Sequence, residues 1–519
     1  MTAVRVAGSL VGAAAGIAGV TVLARLAGLG RTAVFTHTVG YDCVAGTYQV
    51  ANTVPNVVFE VVAGGALASV VVPVLAPLVQ AGDREAASRT VSALLSWTVL
   101  LLVPVSLLGL LVAPTIVRLL FGDHPTCGPA ALVVGADLLR VFAPQVVLYG
   151  VAVVLTGVLQ AHHRFLGPAL APLLSSVVVG GTYLLYAGRG GATGDGPAEL
   201  AGLSDAQRLF LGVGTTLGVV AMTVALVVPM RGTGLSLRPR LRFPGGVAPR
   251  VRQLAAAGVA VLAAQQFAFV VGLRLSSGGA TTSQAVFTIG WTLFLVPWAV
   301  LAVPLATSAF PRLAAAEEAA FADLAARTLR LVVVVSLLGG VALFAAAGPI
   351  AVVLAQGPEL AGALRAFAPG LLGYGVVALL TRALYARDRG RRAAVATAVG
   401  WAVVVAVDLL LVGGTDLSRP TALGLGNTAG MTVAGLLLAG ELRQVAPGAL
   451  AGTVRTTAVG ASCAAAAAGL SLLVPDPGGV ATALGLGAGL ALAAAAVVVA
   501  GLRVADPGGF VGLRARPAP

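Results

Sequence analysis

The chain has 519 residues, 58% hydrophobic and 10% charged, with a mean hydropathy of +0.99 and a formal net charge of +13. Soluble domains carry roughly 25% charged residues, so too few charges are present to clothe a water-facing surface, and most of the chain must face lipid. The positive balance is carried by 32 arginines with no lysine, and basic cytoplasmic loops account for it without a nucleic-acid partner.

A membrane span needs about 20 apolar residues. On that criterion fourteen spans are predicted, and the fold class is all-α and polytopic. The first six cover 7–34, 46–80, 90–121, 129–160, 165–187 and 207–230. The next six cover 250–278, 281–311, 326–356, 360–385, 393–413 and 420–441, and a last pair covers 449–474 and 479–503. The first apolar stretch runs on as a full span, so it reads as a helix rather than a removed signal. Pro55 with Gly64 and Gly65, and Pro297 with Pro304, predict bent or broken helices in the second and eighth spans.

With a cytoplasmic N-terminus, 23 arginines fall on the inside, seven on the outside or at outer helix ends, and Arg25 and Arg31 within the first span. This bias predicts that both termini are cytoplasmic. The stretch 231–249, with four arginines and three prolines, reads as an inside linker, and the Gly-rich loop 188–206 lies outside. That loop lacks the strand before it and the Lys-Ser/Thr after it that phosphate binding would need. Cys43 and Cys127 fall in loops on the same outer face, either free or paired; with Cys463 they show no metal-ligand spacing.

The chain repeats itself. Phe142-Ala143-Pro144, Tyr149-Gly150-Val151, Leu155-Thr156 and Arg164 return 225 residues later as Phe367-Ala368-Pro369, Tyr374-Gly375-Val376, Leu380-Thr381 and Arg389. At an offset of 238, Val62, Leu67, Ala68, Pro73 and Leu75 return as Val300, Leu305, Ala306, Pro311 and Leu313. Spans 2–4 thus correspond to spans 8–10. Six spans separate the copies, an even number, so the two halves are parallel repeats of the kind transporters use. The predicted domains are a six-helix lobe over 1–235, a second over 245–445, an extra helix pair over 446–505 and a cytoplasmic tail over 506–519.

Four short motifs stand out: Arg25-Leu26-Ala27-Gly28-Leu29-Gly30-Arg31, Val54-Pro55-Asn56, Gly65-Ala66-Leu67 through Val72-Pro73-Val74-Leu75, and Leu138-Leu139-Arg140-Val141-Phe142-Ala143-Pro144 followed by Arg164-Phe165. With them the chain resembles the MurJ (MviN) family of lipid II flippases, within the multidrug/oligosaccharidyl-lipid/polysaccharide exporter superfamily. The resemblance covers the first twelve spans. It implies a flippase that moves undecaprenyl-pyrophosphate-linked peptidoglycan precursor from the inner to the outer leaflet of a bacterial plasma membrane. It further implies alternating access, driven by membrane potential or a monovalent cation, with no cofactor. Membrane lipids and cell-wall synthesis or division proteins are the implied partners.

A pyrophosphate suits arginine's forked donors, and a mid-membrane arginine usually faces a cavity or a partner. The candidate substrate residues are Arg25, Arg31, Asn56 and Glu60; the alternative has Arg31 reaching the outer interface and Arg25 pairing with Glu60. Some family charges are replaced: Phe59 and Thr292 stand at arginine positions, and Gly46 and Thr32 at acidic ones. Asp408, alone in an apolar span, is the candidate ion-coupling residue. It matches a carboxylate that the resemblance implies for sodium, with Val404 where a polar group is expected and Arg274 as an alternative partner. No nucleophile–base set, metal cluster or cofactor motif suggests an enzyme. Export of another lipid-linked glycan or small molecule, or a non-transporting membrane scaffold, are the other readings.

Overall fold

The structure is a computed structural model. It describes residue 20, residues 23–40, 42–61, 68–122, 127–162, 164–191, 197–244, 247–280, 282–354, 357–387, 389–475 and 477–505. The tail over 506–519, Gly64 and Gly65 lie outside the described residues. Among the described residues there is no β-strand. Nine helical segments are long and apolar enough to cross a membrane, or ten if one bent pair is a single span. The chain is a multi-pass membrane protein that divides into two compact units, Met1–Gln266 and Phe267–Pro519.

In the first unit, α1 (residues 23–38) and α2 (Cys43–Phe59) are followed by α3 (Ala68–Gln80), α4 (Arg84–Leu111), α5 (Ala113–Phe121), α6 (Gly128–Phe142) and α7 (Gln145–Ala161). Then come α8 (Leu166–Gly188), the short α9 (Pro197–Gly202) and α10 (Asp205–Met230), with α11 (Val247–Ser276) crossing into the second unit. Helix starts follow local chemistry. The Asp83 carboxylate accepts from the N–H of Ala86 at 2.8 Å at the start of α4. Ser204 and Gln207 satisfy each other's backbone donors at the start of α10. Val71, Leu75, Val91, Leu94, Leu155 and Val158 form the core between α3, α4 and α7.

The second unit contains α12 (Ser283–Pro297), a π-helical segment over Trp298–Ala302, α13 (Val303–Ala315), α14 (Glu318–Ala345), α15 (Ala347–Val353), α16 (Gly357–Phe367) and α17 (Gly370–Tyr385). It ends with α18 (Gly390–Gly414), α19 (Arg419–Val445), α20 (Thr453–Ser471) and α21 (Val480–Ala505). The last two pack on α14 through Val334, Val341, Ala467, Ala494, Val498 and Leu502.

The duplication reproduces interruptions as well as helices. A π turn at residues 60–61 matches the one beginning at Trp298, at the 238-residue offset. Pro55 itself lies inside α2, so the break comes after it. Two further pairs of breaks fall within spans 3, 4, 9 and 10, where the sequence reading singled out none. Val112 separates α4 from α5, and Ala346 separates α14 from α15. The repeated Phe-Ala-Pro motif is itself a break: Ala143-Pro144 parts α6 from α7, and Ala368-Pro369 parts α16 from α17 with a 43° bend. Proline has no N–H and clashes with the carbonyl one turn back, so nearby carbonyls lose their helical donor. One carbonyl at each break is met from another helix. Thr216 donates to the carbonyl of Val141 at 3.0 Å, and Thr428 to that of Ala366 at 2.7 Å. These threonines sit in a further repeat that the sequence reading missed, Leu211-Gly212-Val213-Gly214-Thr215-Thr216-Leu217-Gly218 against Leu423-Gly424-Leu425-Gly426-Asn427-Thr428-Ala429-Gly430.

Cys43, first residue of α2, and Cys127, just before α6, form a disulfide with Cα atoms 5.5 Å apart. The bond closes a loop over a sequence separation of 84. Reducing it, or making Cys43→Ser, should lower stability by about 2–4 kcal/mol. Maleimide labelling of the unfolded protein checks the pairing, with one thiol (Cys463) reacting before reduction and three after.

Candidate functional site

Within the first unit, α1, α2, α7, α8 and α10 enclose a polar cavity of about 140 Å³. Its wall includes Arg31 and Thr32 from α1, Gln49, Asn52 and Asn56 from α2, Tyr149 from α7, Tyr183 from α8 and Thr215 from α10. Because α1 runs unbroken over residues 23–38, Arg25 and Arg31 project from different faces, six residues apart. Arg31 is half-buried in the cavity wall and Arg25 is exposed outside it. Of the four predicted substrate residues, Arg31 and Asn56 are brought together; Arg25 and Glu60 do not line the cavity. Glu60 is exposed, and no ion pair joins it to Arg25 among the described residues.

The hydroxyls of the cavity form a chain whose direction follows from its end. Thr215 donates to the carbonyl of Leu211 at 2.8 Å, so its oxygen accepts from Tyr48 at 2.7 Å. Tyr48, its proton committed, then accepts from Tyr183 at 2.8 Å. Tyr183 is therefore left with lone pairs and no proton to offer. Across the cavity Tyr149 donates to Asn56 Oδ1 at 3.3 Å, and that leaves the Asn56 amide N–H groups as donors. The Phe59 ring packs on Tyr149 at 4.6 Å between centroids, filling the place where the resemblance implied a cation. A guanidinium beside amide donors and oriented hydroxyls can hold an oxyanion or a polyhydroxylated group. Sequence reasoning missed the three tyrosines and Thr215. Tyr149 lies in the repeat, but nothing in the sequence says that Tyr48, Tyr149 and Tyr183 meet.

The second unit carries a polar centre at the corresponding place. Tyr183 and Asp408 stand 225 residues apart on α8 and α18, and Thr215 and Asn427 stand 212 apart on α10 and α19. Asp408 is 2% exposed and packs against the backbone of Gly426. Its Oδ1, and both amide atoms of the 1%-exposed Asn427, have no hydrogen-bond partner among the described residues. No ion pair joins it to Arg274 among the described residues, and that guanidinium donates to Ser277 at 3.0 Å. In the first unit Tyr183 and Thr215 are satisfied through Tyr48, whereas their counterparts in the second are a carboxyl and an amide with unsatisfied atoms, and two unpaired oxygens of this kind suit a small cation or a proton. Val404, where the resemblance implied a polar ligand, packs against Gly430 instead.

Comparison with known proteins fits this architecture. The family model for lipid II flippase MurJ matches residues 35–482. A probable lipid II flippase MurJ of Synechocystis sp. is 30% identical over 238 residues, covering 44% of this chain and 42% of that protein. The lipid II flippase MurJ of Burkholderia cenocepacia is 27% identical over 164 residues, 31% of either chain. The aligned stretches thus span less than half the length of these relatives. A structure of lipid II flippase MurJ in an inward closed conformation is similar at a TM-score of 0.72 and 15% identity, over 94% of this chain and 99% of that one. An inward-facing multidrug resistance MATE family transporter of the MOP superfamily is similar at 0.66 and 14% identity, over 83% and 96%. At such identities the structures establish the fold, and the family model, matching most of the chain, establishes the kinship: this chain belongs to the MurJ family of lipid II flippases.

Proposed function

We propose that the chain is a flippase that carries undecaprenyl-pyrophosphate-linked peptidoglycan precursor, lipid II, from the inner to the outer leaflet by alternating access. The observation that carries this reading is the MurJ family match over residues 35–482. The polar cavity around Arg31 supports it, because an anionic, sugar-bearing headgroup needs cationic and hydroxyl-rich surroundings inside an apolar protein. In this reading Arg31 and Asn56 contact the headgroup, and Arg25 and Glu60 act outside the cavity on its way in or out. The protein sits in a bacterial plasma membrane with both termini cytoplasmic, as its arginine distribution favours. Cell-wall synthesis or division proteins are the partners this activity calls for. The test is rescue of cells depleted of their lipid II flippase, scored by survival and by appearance of lipid II in the outer leaflet. Failure to rescue, with the chain present in the membrane, would favour export of another lipid-linked glycan.

Asp408 is proposed as the coupling residue, answering to membrane potential or to a monovalent cation. Its unsatisfied oxygen supports the assignment. Asp408→Asn keeps the size of the side chain and removes its charge. It should slow transport about tenfold, a coupling of about 1.4 kcal/mol, and abolish any dependence of the rate on sodium or voltage. A variant that keeps both rate and dependence would remove Asp408 from the coupling mechanism.

A further inference from the structure

We infer that the segment 234–243 is a binding strap for anionic phospholipid headgroups, held at headgroup depth by a ladder of serines on α4. The backbone N–H groups of Ser236, Arg238 and Arg240 donate to the hydroxyls of Ser88, Ser92 and Ser96 at 3.3, 3.1 and 2.9 Å. The geometry explains the spacing. Four helical residues rise about 6 Å, and two extended residues advance about 6.6 Å. Alternate N–H groups of the strap therefore meet every fourth residue of the helix. A final bond locks the register, from Trp97 Nε1 to the carbonyl of Leu241 at 2.9 Å.

That last bond also sets the depth. Below Trp97, α4 carries Arg84, Glu85 and Arg89. Just beyond it begin the exposed apolar residues Val99, Leu100, Leu101 and Val103. From Trp97 to its end at Leu111, α4 runs on for about 21 Å, the larger part of the roughly 30 Å of a bilayer's hydrocarbon. Tryptophan favours that boundary. The end of the strap is thus at the level of the phosphates. Alternation divides its side chains. Leu237 and Leu241 stay 43% and 52% exposed beside Leu95, Val99 and Leu100, as residues facing acyl chains would. Arg238, Arg240 and Arg242 are exposed, and among the described residues none is in an ion pair. Three like charges at two-residue spacing repel each other unless an anion lies between them, and at this depth phospholipid headgroups supply it. The inference does not depend on what the protein transports.

The experiment uses the full chain in nanodiscs of phosphatidylcholine containing a minor fraction of brominated phosphatidylglycerol, or of brominated phosphatidylcholine as reference. The quenching of Trp97 is obtained by difference from Trp97→Phe. Phosphatidylglycerol should be enriched beside Trp97, and the enrichment should fall about fivefold for each arginine replaced in Arg238→Gln, Arg240→Gln and Arg242→Gln. Joint Ser88→Ala, Ser92→Ala and Ser96→Ala should also weaken it, with every arginine retained, because the charges lose their fixed depth. Equal quenching by the two lipids, enrichment that survives the triple glutamine variant, or displacement by added inorganic phosphate would each overturn the assignment.

Discussion

Arg31→Ala is expected to give a folded, membrane-inserted protein that no longer rescues cells depleted of lipid II flippase. The side chain is half-buried in a cavity walled by Tyr48, Tyr149, Tyr183, Asn56 and Thr215, and among the described residues it is in no ion pair. Its charge is therefore not used to hold the fold, and its loss removes a donor to a bound anion. Charged hydrogen bonds contribute about 1.5–3 kcal/mol, so the rate of lipid II exposure should fall roughly ten- to hundredfold. Arg31→Lys keeps the charge without the fork and should recover part of this. Arg25→Ala, at an exposed position outside the cavity, should lose less than Arg31→Ala. The measurement is outer-leaflet lipid II in cells carrying matched amounts of each variant. Full rescue by Arg31→Ala would remove the cavity from the transport path.

Gly373→Ala should destabilise the second unit more than any surface change. A Cβ there would fall 2.5 Å from the carbonyl oxygen of Met431 and 2.9 Å from the N of Thr432, both backbone atoms that cannot turn aside. The helices α17 and α19 would have to separate, and α19 is tied to α18 in the same way, since a Cβ at Gly430 would meet the carbonyl oxygen of Gly400 at 2.5 Å. Overpacking costs about 1–3 kcal/mol where neighbours relax, and here the upper end or beyond is expected. The control is Gly181→Ala in α8. Open space surrounds that position, and helix propensity alone should stabilise it by about 0.5–1 kcal/mol. Thermal midpoints of the purified proteins in detergent distinguish the two. A midpoint for Gly373→Ala at or above that of the unsubstituted protein would contradict the close backbone approach.

The apolar composition and the repeated Phe-Ala-Pro and Tyr-Gly-Val segments made the helical membrane fold and its duplication legible. The breaks at Ala143-Pro144 and Ala368-Pro369 were less so, although the prolines were in view. A proline in a membrane helix is tolerated or interrupting according to whether a neighbour supplies a donor, and Thr216 and Thr428 come from helices distant in sequence. The site was half legible. Arg31 and Asn56 stood out as polar groups in motifs. Arg25 resembled Arg31 in every local respect, and only the unbroken course of α1 placed them on different faces.

By itself, the sequence determined that this protein lives in lipid, that it was built twice, and that Asp408 has no charged neighbour along its own helix, because hydropathy and internal similarity are properties of contiguous residues. The tertiary structure decided which polar groups share a cavity, which glycines let helices touch, that Cys43 meets Cys127, and that the segment 234–243 lies along the serines of α4. Each of these joins residues tens to hundreds of positions apart. Their meeting depends on how the helices are rotated and broken, and local patterning leaves that to packing.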